Sequence, residues 1–264
     1  MTEKGWVSAY DRVTLARAKE RPGITDYIDF LFDDFLEMKG DRLGKEDSSI
    51  LGGIGLFHGT PITVIGHRKG KNTQENLLCN FGMSLPEGYR KALRLMRQAE
   101  KFKRPVITFI DTPGAYPGLE AESHGQSIAL AECIAGMSSL EIPIIAVITG
   151  EGSSGGALAL GVADRIWMLE NAVYSILSPE GFASILWKDA KRAAEASELM
   201  KITAPELLEY GLIDGILPEG PKLMQQLDKM LVNELMVLKK YRGSTLAKKR
   251  YRKFRTIDGG FRPR

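Results

Sequence analysis

One pattern occurs twice in this chain and restricts its fold more than any other feature. Pro105-Val-Ile-Thr-Phe-Ile110 is an apolar, β-branched run of strand length, Asp111 to Gly118 is a glycine- and proline-rich turn, and His124 to Ser139 has helical composition. Pro143 to Ile148 repeats the strand, Thr149 to Ser154 the glycine turn, and Gly155 to Ala163 the helix. Consecutive strand–turn–helix units require parallel strands joined by crossover helices. In such folds chemistry gathers at the carboxyl ends of the strands, so both turns are expected on one edge of the sheet, facing a single site.

The flanking segments fit around that core. Residues 10–20 read as a helix ending at Arg21-Pro22-Gly23, and a second helix is expected from Tyr27 through Leu36 to Lys39-Gly40. Gly53 to Phe57 and Pro61 to Ile65 form a hairpin through His58-Gly59-Thr60. Gly66-His67-Arg68-Lys69-Gly70-Lys71 is a basic loop, either an anion site or simply solvated. Pro86 opens a helix that runs to Phe102. Strands are expected at Arg165–Leu169, Ala172–Leu177 and Ile213–Leu217, with helices after Ser178-Pro179, over 190–200 and 204–210, and over 223–238. No Ser/Gly/Pro-rich linker interrupts the chain. One α/β domain over 41–238 is expected, with a helical segment at 1–40 and a basic tail at 239–264.

Composition excludes several classes. No apolar run reaches membrane-spanning length, and Met1-Thr-Glu-Lys-Gly-Trp6 lacks the apolar segment of a secretory signal. Cys79 and Cys133 stand far apart with no CxxC spacing, which argues for a reducing cytoplasm and against a structural zinc site in this chain. Charge is uneven: Lys239 to the end holds eleven Lys/Arg and one Asp, giving +10 against −7 for the remainder. That tail is suited to nucleic acid, CoA phosphates or an acidic partner subunit, or is a solvated helix end.

The second turn, Gly150-Glu-Gly-Ser-Ser-Gly-Gly156, decides between chemistries. Gly155 and Gly156 at a helix start leave bare N–H groups facing outward, and the helix dipole adds positive charge there. Neither turn has the lysine of a phosphate-binding loop. Gly150-x-Gly152-x-x-Gly155 matches a dinucleotide fingerprint by letter, but it follows a mid-chain strand. Gly152-Ser-Ser154-Gly-Gly156 mimics a nucleophile elbow, yet His58, His67 and His124 all precede Ser154; Asp111, His124 and Ser154 follow only the order of another triad. What remains is a site that stabilises developing negative charge with backbone amides, as an acyl-thioester enolate needs.

Phe109-Ile-Asp-Thr-Pro-Gly-Ala-Tyr-Pro-Gly118, Gly125-Gln126-Ser127, Gly150 to Ala159 and Tyr174 to Lys188 together resemble the α subunit of bacterial acetyl-CoA carboxylase carboxyltransferase, over about residues 10 to 255. The resemblance implies a crotonase-type fold, repeated ββα units wound into a spiral, with helical extensions at both ends. It also implies that carboxybiotin, carried on a biotin carboxyl carrier protein and charged by biotin carboxylase, enters a cleft between α and β subunits of an α2β2 heterotetramer. There it gives up CO2, and its ureido anion takes a proton from acetyl-CoA. The enolate captures CO2 as malonyl-CoA, the committed step of fatty acid synthesis.

By the same resemblance the amides of Gly155 and Gly156 hold the biotin oxyanion, and Gly114 and Ala115 form the neighbouring wall or second donor. Gly118, Gly152 and Ala157 complete the cofactor-binding set. The β subunit brings the thioester hole and a four-cysteine zinc ribbon, so no metal is expected here. Glu151, Glu180 and His124 are expected to be structural. Ser153 replaces a usual glycine and His124 a usual arginine, and the N-terminal extension of longer members is missing. Two other readings stay open: an enoyl-CoA hydratase or isomerase, which needs a placed glutamate, and a basic RNA- or subunit-binding scaffold resting on the tail.

Overall fold

The computed structural model describes residues 7–257; the readings made on 1–6 and on 258–264 of the tail lie outside the described residues. Helices α1 (Ala9–Ala16) and α2 (Ile24–Leu31) lead into β1 (Asp33–Glu37), β2 (Ile50–Phe57) and β3 (Thr60–His67). Next come α3 (Thr73–Leu78), a 3-10 turn, α4 (Pro86–Lys101), β4 (Val106–Thr112), α5 (Leu119–Ser123) and α6 (Gln126–Ser139). The chain continues with β5 (Ile144–Ser153), α7 (Ser154–Leu158), β6 (Arg165–Leu169), β7 (Val173–Ser175) and α8 (Pro179–Trp187). It ends with α9 (Ala193–Met200), α10 (Ala204–Glu209), β8 (Gly215–Leu217), α11 (Leu223–Leu238) and α12 (Gly243–Thr256).

The strands form one sheet in the order β1-β2-β3-β4-β5-β6-β8, with β7 paired to the far end of β5. β1, β2 and β3 are antiparallel; β3 through β8 run parallel, as the repeated unit requires. All ten residues of β5 are buried, which explains its unbroken apolar run: a central parallel strand is covered on both faces. α4 and α6 pack on each other, and α4 also covers β2 and β3. The starts of α4 and α8 follow their sequence signals: each has proline at the first positions, and the Ser178 hydroxyl accepts the Gly181 N–H at 3.1 Å.

Three local expectations are corrected. The second helix stops at Leu31, because Phe32 turns extended and Asp33–Glu37 pairs with β2. Gly53 and Gly55 on β2 make this possible: a side chain at Gly53 would collide with Phe35 and the Leu36 carbonyl, and one at Gly55 with Phe32. Residues 150–153 are not a turn but the end of β5, held between Thr112 of β4 and Val173–Ser175 of β7. Gly150 and Gly152 give space there to the Asp111 carboxylate and the Tyr174 ring. The helix expected to reach Ala163 is the five-residue α7.

The basic tail is no loose appendage over the described residues. α12 lies against α6, and Arg250 is 1% exposed. Its guanidinium grips both carboxylate oxygens of Asp164 at 3.1 and 2.9 Å and donates to the carbonyls of Met137, Leu140 and Ile142 at 2.9–3.0 Å. A buried charge needs such full partnering to be tolerated. The solvated side of α12 carries Lys248, Lys249, Arg252 and Arg255.

Candidate active site

The two repeated units meet at their turns. A side chain on Gly156 would lie 2.6 Å from the Ala115 nitrogen, 2.8 Å from the Gly114 carbonyl carbon and 2.8 Å from the Tyr89 hydroxyl. Only glycine lets the two backbones approach this closely. Gly114 adds a backbone at φ +141°, a region closed to other L residues, and its own turn is pinned by Thr112, whose hydroxyl accepts the Gly114 N–H at 3.0 Å. Ser154, between strand and helix, has φ +57°, a left-handed conformation that costs a non-glycine residue roughly 1–2 kcal/mol.

A cleft of about 580 Å³ opens over this junction, lined among others by Gly114, Ala115, Ser153, Gly155, Gly156 and Ile176. Among the described residues, no acceptor takes the N–H of Ala115, Gly155 or Gly156. Unpaired amides at the start of a short helix remain able to donate, although five residues give this one little of the dipole that the sequence suggested. Gly118, Gly152 and Ala157 do not line the cleft. Gly118 backs onto the Tyr116 ring, Gly152 is strand backbone, and Ala157 is fully buried in the core. Ser153 does line it, with a buried hydroxyl that has no partner among the described residues.

Charged groups flank the cleft as one linked chain that sequence reading missed. Lys69 Nζ donates to Asp111 Oδ1 at 2.6 Å and to Glu151 Oε2 at 3.4 Å; Arg17 Nε donates to Glu151 Oε1 at 2.7 Å, and its Nη1 to Glu180 Oε1 at 2.7 Å. Burial works against the Lys69 charge, but Asp111 and Glu151 outweigh it and raise its pKa above the ordinary value. Arg17 holds the Glu180 carboxyl below the usual range. Glu151 is thus ion-paired to Lys69 and Arg17, and Glu180 is held as an anion by Arg17. A general base for hydration would need the opposite tuning. The only sequence signal for these linked charges was the basic loop at 66–71.

The apparent triad does not assemble. His124 Nδ1 sits 2.9 Å from Glu87 while Asp111 is engaged by Lys69. His67 lies at the end of β3, 2% exposed, its two ring nitrogens unpartnered among the described residues. Burial lowers its pKa to about 3; Asp111 and the Gly156 and Phe109 backbones oppose that shift, and Lys69 assists it. A second cavity of about 810 Å³ lies on the other side of the Arg17–Glu151 pair, lined by Arg21, Arg68, Lys69 and Lys71. No group of three or more metal-ligating side chains occurs among the described residues, nor any helix long and apolar enough to cross a membrane.

Residues 5–258 match the family model described as acetyl co-enzyme A carboxylase carboxyltransferase-like. The chain is 52% identical over 262 residues to the acetyl-coenzyme A carboxylase carboxyl transferase subunit alpha of Carboxydothermus hydrogenoformans, covering 96% of this chain and 81% of that one. It is 53% identical to a single polypeptide of Clostridium tetani named as subunits beta/alpha, covering 97% of this chain and 46% of the longer one. Among solved structures, a transcarboxylase 12S with methylmalonyl-coenzyme A and methylmalonic acid bound superposes with a TM-score of 0.71 at 17% identity, over 92% of this chain and 47% of that one. That likeness fixes the fold as the crotonase type carried by carboxyltransferases. The chain belongs to the family of bacterial acetyl-CoA carboxylase carboxyltransferase α subunits.

Proposed function

We propose that the junction of Gly114–Ala115 with Gly155–Gly156 is the α-subunit half of the carboxyltransferase site, and that its amides stabilise charge on biotin while acetyl-CoA is converted to malonyl-CoA. Carboxybiotin, delivered on a separate carrier protein, supplies the CO2 and afterwards the base. The Gly155 and Gly156 N–H groups would hold the ureido oxygen as it gains charge, with Ala115 of the other turn beside them on the cleft. Preset donors of this kind are worth roughly 10²–10³-fold each in rate. The observation that carries the reading is that Ala115, Gly155 and Gly156, whose N–H groups have no acceptor among the described residues, line one cleft.

The fit to a ureido ring is steric as well as electronic. The donors lie where side chains would fill the space, and Pro113, Pro117 and Leu130 supply apolar walls. Two apolar side chains are strongly exposed: Ile176, which lines the cleft, 78% exposed, and Leu119, two residues after the cleft-lining Pro117 in the chain, 87% exposed. They suit burial against a β subunit, which would bring the thioester half-site; the C. tetani polypeptide joins both subunit names in one chain. An α2β2 assembly, a biotin carboxyl carrier protein, biotin carboxylase upstream and a cytoplasmic setting belong to the same proposal. So does a weak, salt-sensitive polyanion contact along the exposed cations of α12.

The test is reconstitution. Malonyl-CoA-dependent carboxylation of biotin is expected from this chain mixed with its β subunit, and none from this chain alone. Turnover by this chain alone would refute a site shared between subunits.

A further inference from the structure

Asp111 occupies an irregularity that sets how the two turns meet. β4 and β5 pair residue for residue from Val106↔Ile144 to Ile110↔Ile148, and pairing resumes only at Thr112↔Gly152. Asp111 alone therefore faces Thr149, Gly150 and Glu151, two residues of slack in β5. Extra residues in one strand bend it and re-aim the backbone beyond them. In β5 that downstream backbone is Ser153 to Gly156. The Asp111 carboxylate closes the slack: Oδ1 accepts the Glu151 N–H at 3.0 Å and the Lys69 ammonium at 2.6 Å. Gly150 leaves room for it, since a side chain there would collide with the carboxylate.

We infer that Asp111 is a positioning residue for the Gly155–Gly156 amides, acting through the Glu151 peptide, with Lys69 as its anchor. The inference rests on the proposed role of those amides. It goes further in assigning their placement to one carboxylate that touches no substrate. The remaining links extend the clamp outward: Lys69 and Arg17 hold the Glu151 side chain from two sides, and Arg17 ties it to Glu180 at the start of α8, on the opposite wall of the cleft. Without the carboxylate, the Glu151 N–H loses its acceptor, Lys69 loses its nearer partner, and the bulge is free to shift along β4. A displacement of about 1 Å in a catalytic donor set is enough to cost roughly 10²-fold in rate.

The test compares Asp111→Asn with Asp111→Ala in the complex with the β subunit. Asparagine keeps an oxygen for the Glu151 N–H and gives up the charge facing Lys69; alanine gives up both. Asp111→Ala is expected to lower kcat by about 10²-fold with KM for malonyl-CoA unchanged, and Asp111→Asn to recover most of that loss. Amide hydrogen exchange gives a readout independent of activity: protection at Glu151 should vanish in Asp111→Ala and persist in Asp111→Asn. Equal kcat in all three proteins, or exchange at Glu151 unchanged in Asp111→Ala, overturns the inference. A wild-type complex without activity would instead sink the proposed function, leaving the exchange result to judge the clamp. Should the alanine variant fail to assemble, Lys69→Met, which removes the anchor and its longer contact to the Glu151 side chain but leaves the Asp111 acceptor, is expected to lower kcat several-fold at constant KM, and an unchanged kcat counts equally against the inference.

Discussion

The two glycine-rich segments look interchangeable by composition, yet they do different work. After β4 the chain leaves the sheet at once: Gly114 takes a backbone that only glycine holds, and the loop swings through Pro117 before α5 begins. After Ile148, β5 continues as strand through Ser153, and its first two glycines serve packing, one beside Asp111 and one beside Tyr174. Only the last pair stands at the site, and within it Gly156 is enclosed while a side chain on Gly155 would meet only the Leu130 methyl, at 3.8 Å. A glycine's meaning is set by what approaches it from elsewhere in the fold.

That contrast can be broken by substitution, beginning where the crowding is worst. Gly156→Val forces apart the two turns and should reduce biotin carboxylation by at least about 10²-fold while the complex with the β subunit still elutes intact; unchanged turnover would detach the glycine pair from catalysis. Gly114→Ala meets strain and not collision, since its nearest non-adjacent atom is 4.0 Å away, so a stability loss of about 1–3 kcal/mol in denaturant titration should exceed the effect on rate. Gly155→Ala keeps its N–H and meets only ordinary van der Waals contact within the protein, so its loss of turnover, from the methyl's intrusion on the cleft alone, should be smaller than that of Gly156→Val. A loss equal to that of Gly156→Val would erase the asymmetry.

A pH experiment probes the support beneath the turn. His67 stays neutral in the folded protein down to about pH 3, whereas the unfolded chain takes up a proton near 6.5. The unfolded state thus binds more protons between those values, and this residue's contribution to stability falls as pH drops below about 6.5. Wild type should lose stability from pH 7 to 4, and His67→Gln should flatten that decline in urea titrations. Parallel curves for the two proteins would mean that the imidazole is protonated in place.

Much of the site was legible because it is local. The paired glycines, the strand before them and the parallel arrangement all follow from short-range pattern, and Gly114, Ala115, Gly155 and Gly156, whose roles the resemblance implied, line one cleft. The clamp was not legible. Arg17, Lys69, Asp111, Glu151 and Glu180 come from five separate segments, and nothing in the spacing of charged residues pairs them. β1 escaped for a similar reason: Tyr27 to Leu36 has an apolar stripe that suits a helix, but edge pairing with the glycine-bearing β2 competes for its second half and prevails. Gly118, Gly152 and Ala157 show the converse, since proximity in sequence to a site residue does not bring a neighbour onto the cleft.

The burial of Arg250 changes how the charged C-terminal helix can be interrogated. Cutting the chain before that residue would strand Asp164 without its counter-ion and unseat four carbonyl groups, so a shortened protein that no longer bound a polyanion would report on unfolding as much as on electrostatics. Reversing Lys248, Arg252 and Arg255 to glutamate instead alters the water-facing side. The guanidinium that staples this helix to the body thus turns an end that composition marks as dispensable into a component of the folded unit.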